Sequence, residues 1–186
     1  MADPGAGFSA GRRLFDLAEA VRADPGLSRA ALVELLARHG EHPDDLAEEA
    51  FGEADAADLR AAAGRMAALL AEPDEDRAAE ALNGLFAAHA TRPRLTRHDG
   101  RAWHLHVDRG DGAGWGDWFL AAGALALAQL LTEYGRIVWG ACPAGGCGRI
   151  FLATGPGSAR RYCSTTCATR ARVAAHRRRK RADAAG

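Results

Sequence analysis

The four cysteines of this 186-residue chain all fall within residues 142–167, and their spacing constrains the fold more than any other feature of the sequence. They form two close pairs, Cys142-x4-Cys147 and Cys163-x3-Cys167, with fifteen residues between the pairs. Each pair can hold one side of a tetrahedral ion, and clustered cysteines in a reducing compartment bind metal more often than they form disulfides. The spacing therefore predicts one Zn²⁺ with four thiolate ligands. Because such a site has no open coordination position, it is structural rather than catalytic.

The residues between the cysteines predict how this module folds. Gly145 and Gly146 allow a tight knuckle after the first ligand, because backbone amides must turn toward the thiolate sulfur. We expect a strand at residues 148–152, a turn at 154–158 and a returning strand at 160–162. Ser164 is a predicted N-cap that places Cys167 in the first turn of a helix. Knuckle, hairpin and helix in this order describe a treble-clef-like zinc finger.

The formal net charge of zero conceals an asymmetry between the two ends of the chain. Residues 1–140 contain 14 Arg and 23 Asp or Glu, a net charge of −9, whereas residues 141–186 contain 9 Arg, one Lys and one Asp, a net charge of +9. A basic tail beside a metal module predicts a polyanionic partner, and attraction between the acidic body and the tail is the alternative. The predicted phosphate contacts are Arg160, Arg161, Arg170, Arg172, Arg177, Arg178, Lys180 and Arg181. No Asn or Gln accompanies them to read adenine, so any base specificity would rest on arginine contacts to guanine or on DNA shape. The predicted partner is duplex DNA, bound through its phosphates.

Residues 1–140 are predicted to form a mainly helical domain, followed by the zinc finger at residues 141–186. Apolar residues recur at helical spacing through the first 90 residues, which indicates four or five amphipathic helices. We expect Ser28 to cap one of them, a short helix at residues 46–51, and a longer helix opened by Asp55 or Asp58. Residues 115–134 should form a buried helix, since this apolar stretch contains charged residues that do not suit a bilayer span.

The hydrophobic period changes between residues 94 and 107, where two alternating runs flank Asp99-Gly100. An Asp-Gly pair between such runs is typical of a β-hairpin. We expect the core-facing residues of the second run to be Trp103, Leu105 and Val107. His104 and His106 would lie on the opposite face, either as half of a metal site or as part of an ordinary surface. The expected fold class is therefore mainly α with a small β-hairpin, followed by the finger.

The chain resembles the CGNR zinc-finger family of bacterial proteins in several stretches. These are residues 142–151, 160–170 and 173–177 in the finger, and residues 93–100 and 103–106 upstream of it. The resemblance implies a helical N-terminal ABATE-like domain that senses a signal and a finger that binds DNA, as in a stress-responsive transcriptional regulator. The Cys-Gly-Asn-Arg motif that names the family is here Cys167-Ala168-Thr169-Arg170, so its cysteine and arginine match and its middle residues differ.

An enzyme is the competing class of protein, because His-Asn-His nucleases also use treble-clef fingers. Residues 148–162 contain no His, Asp, Glu or Asn, so the groups that such a nuclease needs are missing from this segment. The chain also has no phosphate-binding glycine loop, nucleophile elbow or zincin motif. We therefore expect no enzymatic activity.

The sequence favours a zinc-dependent DNA-binding regulator. Its first residues carry no secretory signal, so we expect a cytoplasmic protein without a membrane partner. A zinc-stabilised adaptor that binds protein or RNA is the alternative function. A homodimer, and a small-molecule or protein signal at the N-terminal domain, are left open as further partners.

Overall fold

This computed structural model describes residues 5–97, 103–154 and 160–184 of the chain. Its helices are α1 (Gly5–Ala23), α2 (Arg29–Arg38), α3 (Glu53–Leu70), α4 (Glu75–His89), α5 (Trp115–Tyr134) and α6 (Thr165–Asp183). Strands β1 (Arg94–Thr96) and β2 (His104–His106) form one antiparallel hairpin, and β3 (Trp139–Ala141) and β4 (Ile150–Leu152) form a second. The fold is mainly α, as the sequence predicts. None of the helices in the described part of the chain is long and apolar enough to cross a membrane.

Helix α5 lies at the centre of the helical body and packs against α1, α3 and α4. Its sequence is apolar around most of the helix, which suits an element with neighbours on several sides. Gly123 allows the closest approach: a Cβ atom there would lie 2.7 Å from Met66 Cε and 2.9 Å from Leu14 Cδ1. Full burial of each leucine or methionine in this core contributes about 1.5–3 kcal/mol, so packing rather than helix propensity holds the body together.

The polar caps of the helices are only partly those predicted. Ser28 Oγ accepts a hydrogen bond from Ala31 N at 3.2 Å, which confirms the N-cap of α2. Asp55 closes the start of α3, because its Oδ2 accepts from Gly52 N at 2.9 Å. Asp58 instead accepts from Gly116 N at 2.7 Å and so caps α5 from a different helix.

The prediction of a short helix at residues 46–51 is wrong. A 3-10 helix covers Pro43–Leu46, and turns follow up to the start of α3. The guanidinium of Arg29 donates to the carbonyl oxygens of Phe51 at 2.5 Å and Leu46 at 3.1 Å, and Trp115 Nε1 donates to Ala50 O at 3.2 Å. Side chains from two helices thus donate to the backbone carbonyls of this segment, which is held by tertiary contacts and not by a helix of its own.

The predicted orientation of the β1–β2 hairpin is wrong for two of three residues. Trp103 is 63% exposed and Leu105 37% exposed, whereas His104 and His106 are half-buried; Val107 is buried as predicted. The turn at Asp99-Gly100 lies outside the described residues.

Buried Asp108, just beyond β2, explains why the polar face of the hairpin turns inward. It contacts Arg94 and His106, while Thr91 Oγ1 donates to its carbonyl oxygen at 2.8 Å. Burial raises the pKa of Asp108, but the N–H of Gly110 and the guanidinium of Arg94 outweigh it, so the pKa lies below its ordinary value. Burial also lowers the pKa of His106. A hydrogen-bonded carboxylate therefore decides which face of this short hairpin is covered.

Candidate metal centre and basic helix

The structure brings the four predicted zinc ligands together. The Sγ atoms of Cys142, Cys147, Cys163 and Cys167 all lie within 4.8 Å of one another. Three of the distances between Sγ atoms are 3.7 Å for Cys147–Cys163, 3.6 Å for Cys163–Cys167 and 3.7 Å for Cys167–Cys147. A tetrahedral ion with Zn–S bonds of about 2.3 Å requires sulfur atoms about 3.8 Å apart. The donor set therefore fits one structural Zn²⁺.

The first pair of ligands lies on a knuckle that closes the β3–β4 hairpin. Cys142 follows β3 directly, and its N–H donates to Arg149 O at 2.8 Å. Cys147 N donates to Ala144 O at 2.9 Å. Gly146 and Gly148 have φ angles of 71° and 61°, in the left-handed region that other residues rarely adopt. These turns let both cysteine side chains point to the same centre.

The second pair of ligands is positioned by the start of α6. Ser164 Oγ accepts from Cys167 N at 3.2 Å, which confirms Ser164 as the N-cap and places Cys167 in the first helical turn. The positive end of the helix dipole there favours a thiolate.

The returning strand predicted at residues 160–162 is wrong. Residues 161–164 are bends, and β4 pairs with β3 in the register Trp139↔Leu152 and Ala141↔Ile150. Arg160 Nη2 donates to Leu152 O at 3.0 Å, so a side chain holds this segment where strand pairing was expected. The predicted turn at 154–158 lies outside the described residues except for Thr154.

The environments of the thiols differ within the cluster. A backbone hydrogen bond from Arg149 lowers the pKa of Cys147 to about 7. Burial and the neighbouring thiols raise the pKa of Cys163 to about 12. Four thiolates this close repel one another, and a bound Zn²⁺ supplies the positive charge that allows all four to ionise.

Arg170 lies on α6 and contacts one of the metal ligands. Its Nη2 donates to Cys167 Sγ at 3.5 Å, which places a fixed positive charge beside the thiolate cluster. Interactions of this kind orient metal ligands and strengthen the site. Arg170 is one of the predicted phosphate contacts, and its guanidinium points toward sulfur in this structure.

The finger is packed directly onto the helical body. Val138, Trp139 and Ile150 belong to the same hydrophobic core as α1. Ile150 N donates to Glu19 Oε2 at 2.9 Å, and Glu19 is also bonded by Arg22 at 2.8 Å. Burial raises the pKa of Glu19, but these two hydrogen bonds outweigh it and the pKa is lowered. Sequence reasoning missed Glu19, because no local pattern marks an acceptor 131 residues from its donor.

The remaining predicted phosphate contacts are distributed over α6 and the segment before it. Arg161 lies over the Tyr162 ring at 5.8 Å, and Arg172 Nη2 donates to Thr169 Oγ1 at 3.2 Å. Of the residues of α6 that the structure describes, Cys167 is the buried one, and the exposed basic side chains of its distal half are Arg177, Arg178, Arg179, Lys180 and Arg181. Helical spacing puts Arg170, Arg177 and Arg181 on one face of α6, with Arg172 and Arg179 on the opposite face.

Comparison with known families assigns both parts of the chain. Residues 11–134 match the ABATE family, described as "Putative stress-induced transcription regulator". The chain belongs to the ABATE family. In this ABATE protein, residues 139–180 also match the CGNR zinc finger. No curated protein matches the chain.

The structure of this ABATE protein explains which parts of the CGNR motif it keeps. The two matching residues, Cys167 and Arg170, are the ligand and the arginine that donates to that ligand. Thr169 stands in place of the asparagine and accepts a hydrogen bond from Arg172, away from the sulfur atoms. The substitutions therefore leave the metal-binding part of the motif intact.

Proposed function

We propose that this protein is a transcriptional regulator that binds duplex DNA through α6 and needs zinc to do so. Residues 1–140 would be the regulatory domain and residues 141–186 the DNA-binding finger, acting in the cytoplasm of a bacterium. The observation that carries the proposal is an exposed basic helix whose first turn contains a zinc ligand. Loading the metal site would therefore fix the direction in which this helix leaves the body.

The dimensions and charges of α6 suit a nucleic acid. Arg177 and Arg181 lie one turn apart on one face, and Arg178 and Lys180 flank them. An α-helix fits the major groove of B-DNA, which is about 12 Å wide. Arg160 and Arg161 precede the helix and could add contacts to the neighbouring phosphates.

The charge distribution of the whole chain supports the same orientation. The first 140 residues carry a net charge of −9 and residues 141–186 a net charge of +9. A polyanion would be repelled by the helical body and attracted by the finger. A signal or a second copy acting on residues 1–140 could alter the finger through the contact between Glu19 and Ile150.

The test measures binding of the zinc-loaded protein to a labelled random-sequence DNA duplex at increasing salt concentration. Fluorescence anisotropy of the label reports the bound fraction. We expect micromolar binding that weakens linearly on a double-logarithmic plot against salt. Arg177→Ala and Arg181→Ala should each weaken binding and reduce the slope by about one. Arg179→Ala is the matched control, since it removes the same charge from the opposite face of α6.

Two results would contradict this function. One is no binding at low salt by protein with a full complement of zinc. The other is unchanged binding in a Cys163→Ser variant that no longer holds zinc, because α6 would then act as a basic tail that needs no metal centre.

An adaptor that binds another protein or RNA is the second candidate. The observation in its favour is the exposed apolar face of the β1–β2 hairpin, which consists of Leu95, Trp103 and Leu105. Competition between duplex DNA and single-stranded RNA for the zinc-loaded protein distinguishes a DNA-binding regulator from an RNA-binding adaptor. Tighter binding of the single strand would favour the adaptor.

A further inference from the structure

The side chains of the two histidines of β2 lie against each other. His104 Nε2 lies 2.9 Å from His106 Nε2, and the ring centroids are 4.8 Å apart. Both side chains are half-buried, while Leu105 between them is more exposed than either histidine. A strand that turns its histidines inward and its leucine outward breaks the usual hydrophobic pattern, and such departures concentrate at functional sites.

Asp108 positions the second histidine of this pair. Its Oδ2 lies 2.7 Å from His106 Nδ1. The carboxylate is itself held by Arg94 Nη2 at 2.8 Å and by the N–H of Gly110 at 2.9 Å. A carboxylate at this distance favours a proton on Nδ1, which leaves the lone pair of His106 on Nε2, toward His104.

We propose that His104 and His106 bind a second metal ion through their Nε2 atoms, with Asp108 as a positioning residue. The ion would be a divalent transition metal that accepts imidazole nitrogen, such as Zn²⁺, Co²⁺ or Ni²⁺. Two nitrogens bound at about 2.1 Å to one ion lie roughly 3–3.4 Å apart, so the observed pair needs only a small adjustment. Water or a further ligand completes the coordination.

The protons balance without a change in the net charge of the pair. In the metal-free arrangement one proton lies between the two Nε2 atoms, and His104 carries it because Nε2 of His106 is the acceptor. On metal binding His104 gives up this proton to solvent and takes one on Nδ1, so that both imidazoles remain neutral and both Nε2 lone pairs face the ion. The alternative role of the pair is a simple hydrogen bond between neutral imidazoles.

The experiment starts from tag-free, full-length protein that already holds one Zn²⁺ at the four cysteines, and titrates it with Co²⁺. Zinc is retained by the thiolates, since Co²⁺ binds such sites more weakly than Zn²⁺. Calorimetry should show binding of one equivalent of Co²⁺ beyond the Zn²⁺ already present. The absorption spectrum should lack the intense near-ultraviolet bands of cobalt bound to thiolate. His104→Gln and His106→Gln should each weaken this binding at least tenfold.

Two further variants complete the design. His176→Gln removes an exposed histidine of α6 and should leave cobalt binding unchanged. Asp108→Asn should weaken it by about 10- to 100-fold, as loss of a carboxylate that orients a metal ligand does elsewhere, with circular dichroism to establish that the variant is folded. Because Asp108 is buried and its variant could unfold, the glutamine variants of the half-buried histidines decide the question.

Three results would overturn the proposal. They are the absence of a second equivalent at millimolar Co²⁺, equal affinity in the double variant His104→Gln/His106→Gln, and cobalt uptake accompanied by thiolate charge-transfer bands. The last result would mean that cobalt had entered the finger. None of these outcomes depends on whether the protein binds DNA.

Discussion

The guanidinium of Arg170 can pair with two kinds of anion, the Cys167 thiolate and the phosphate of the proposed DNA partner. In the structure it donates to Cys167 Sγ at 3.5 Å. From this contact we expect Arg170 to help retain the metal, a role that the sequence alone did not indicate. The neighbouring Arg172 donates to Thr169 instead and provides a comparison at the same end of α6.

We predict that Arg170→Ala weakens zinc binding by about tenfold, because the thiolate cluster loses a fixed positive charge and a hydrogen-bond donor. Competition with a chromophoric chelator measures the change. Arg172→Ala should bind zinc with the wild-type affinity. Equal retention in both variants, combined with weaker DNA binding by Arg170→Ala alone, would instead assign Arg170 to the phosphates.

At the scale of the elements, the packing of α5 against α1 and α3 depends on a close approach at Gly123. A Cβ atom at this position would fall 2.7 Å from Met66 Cε. Gly84, in the middle of α4, has no atom within 4 Å of the corresponding position. The same substitution therefore has opposite consequences in the two helices.

Gly123→Ala should destabilise the protein by about 1–3 kcal/mol, because an additional methyl group must displace packed side chains. Gly84→Ala should stabilise it by about 0.5–1 kcal/mol, because alanine restricts the unfolded chain and suits an exposed helix interior. Urea denaturation of the two variants gives both values. A stabilised Gly123→Ala variant would show that the α1–α3–α5 contact is looser than described.

At the scale of the whole molecule, the finger and the body share one hydrophobic core. Trp139 and Ile150 pack with residues of α1, and Glu19 accepts from Ile150 N. Core residues therefore lie on both sides of residue 140, where the sequence predicts the domain boundary. That boundary stays a prediction about separate folding units.

Removal of zinc should consequently lower the melting temperature of the helical body, and the native protein should melt in a single transition. Glu19→Gln should lower the stability by about 1–2 kcal/mol, since a neutral amide is a weaker acceptor for Ile150 and Arg22. Calorimetry of zinc-loaded and chelator-treated protein measures both effects. Glu34→Gln, on the exposed surface of α2, is the matched control. If the helical body melted at the same temperature with and without zinc, the shared core would not couple the stability of the body to metal binding.

The sequence by itself determined those features that depend on neighbours along the chain. Ligand spacing defined the four-cysteine site, and helical periodicity with local caps such as Ser28 and Ser164 defined most of the helices. Each of these signals acts over a few residues, so it survives in any tertiary arrangement. The family resemblance of the finger rested on the same local residues.

Only the tertiary structure decided the features that join distant residues. Asp58 caps a helix that begins more than fifty residues later, Asp108 turns the β1–β2 hairpin over, and β4 pairs with β3 instead of with residues 160–162. In each case packing brought a polar side chain or a strand next to a partner that is distant in the sequence, and the local pattern was compatible with more than one partner. Because the free energy of such a contact depends on burial, which a local pattern does not specify, the structure was needed to select among them.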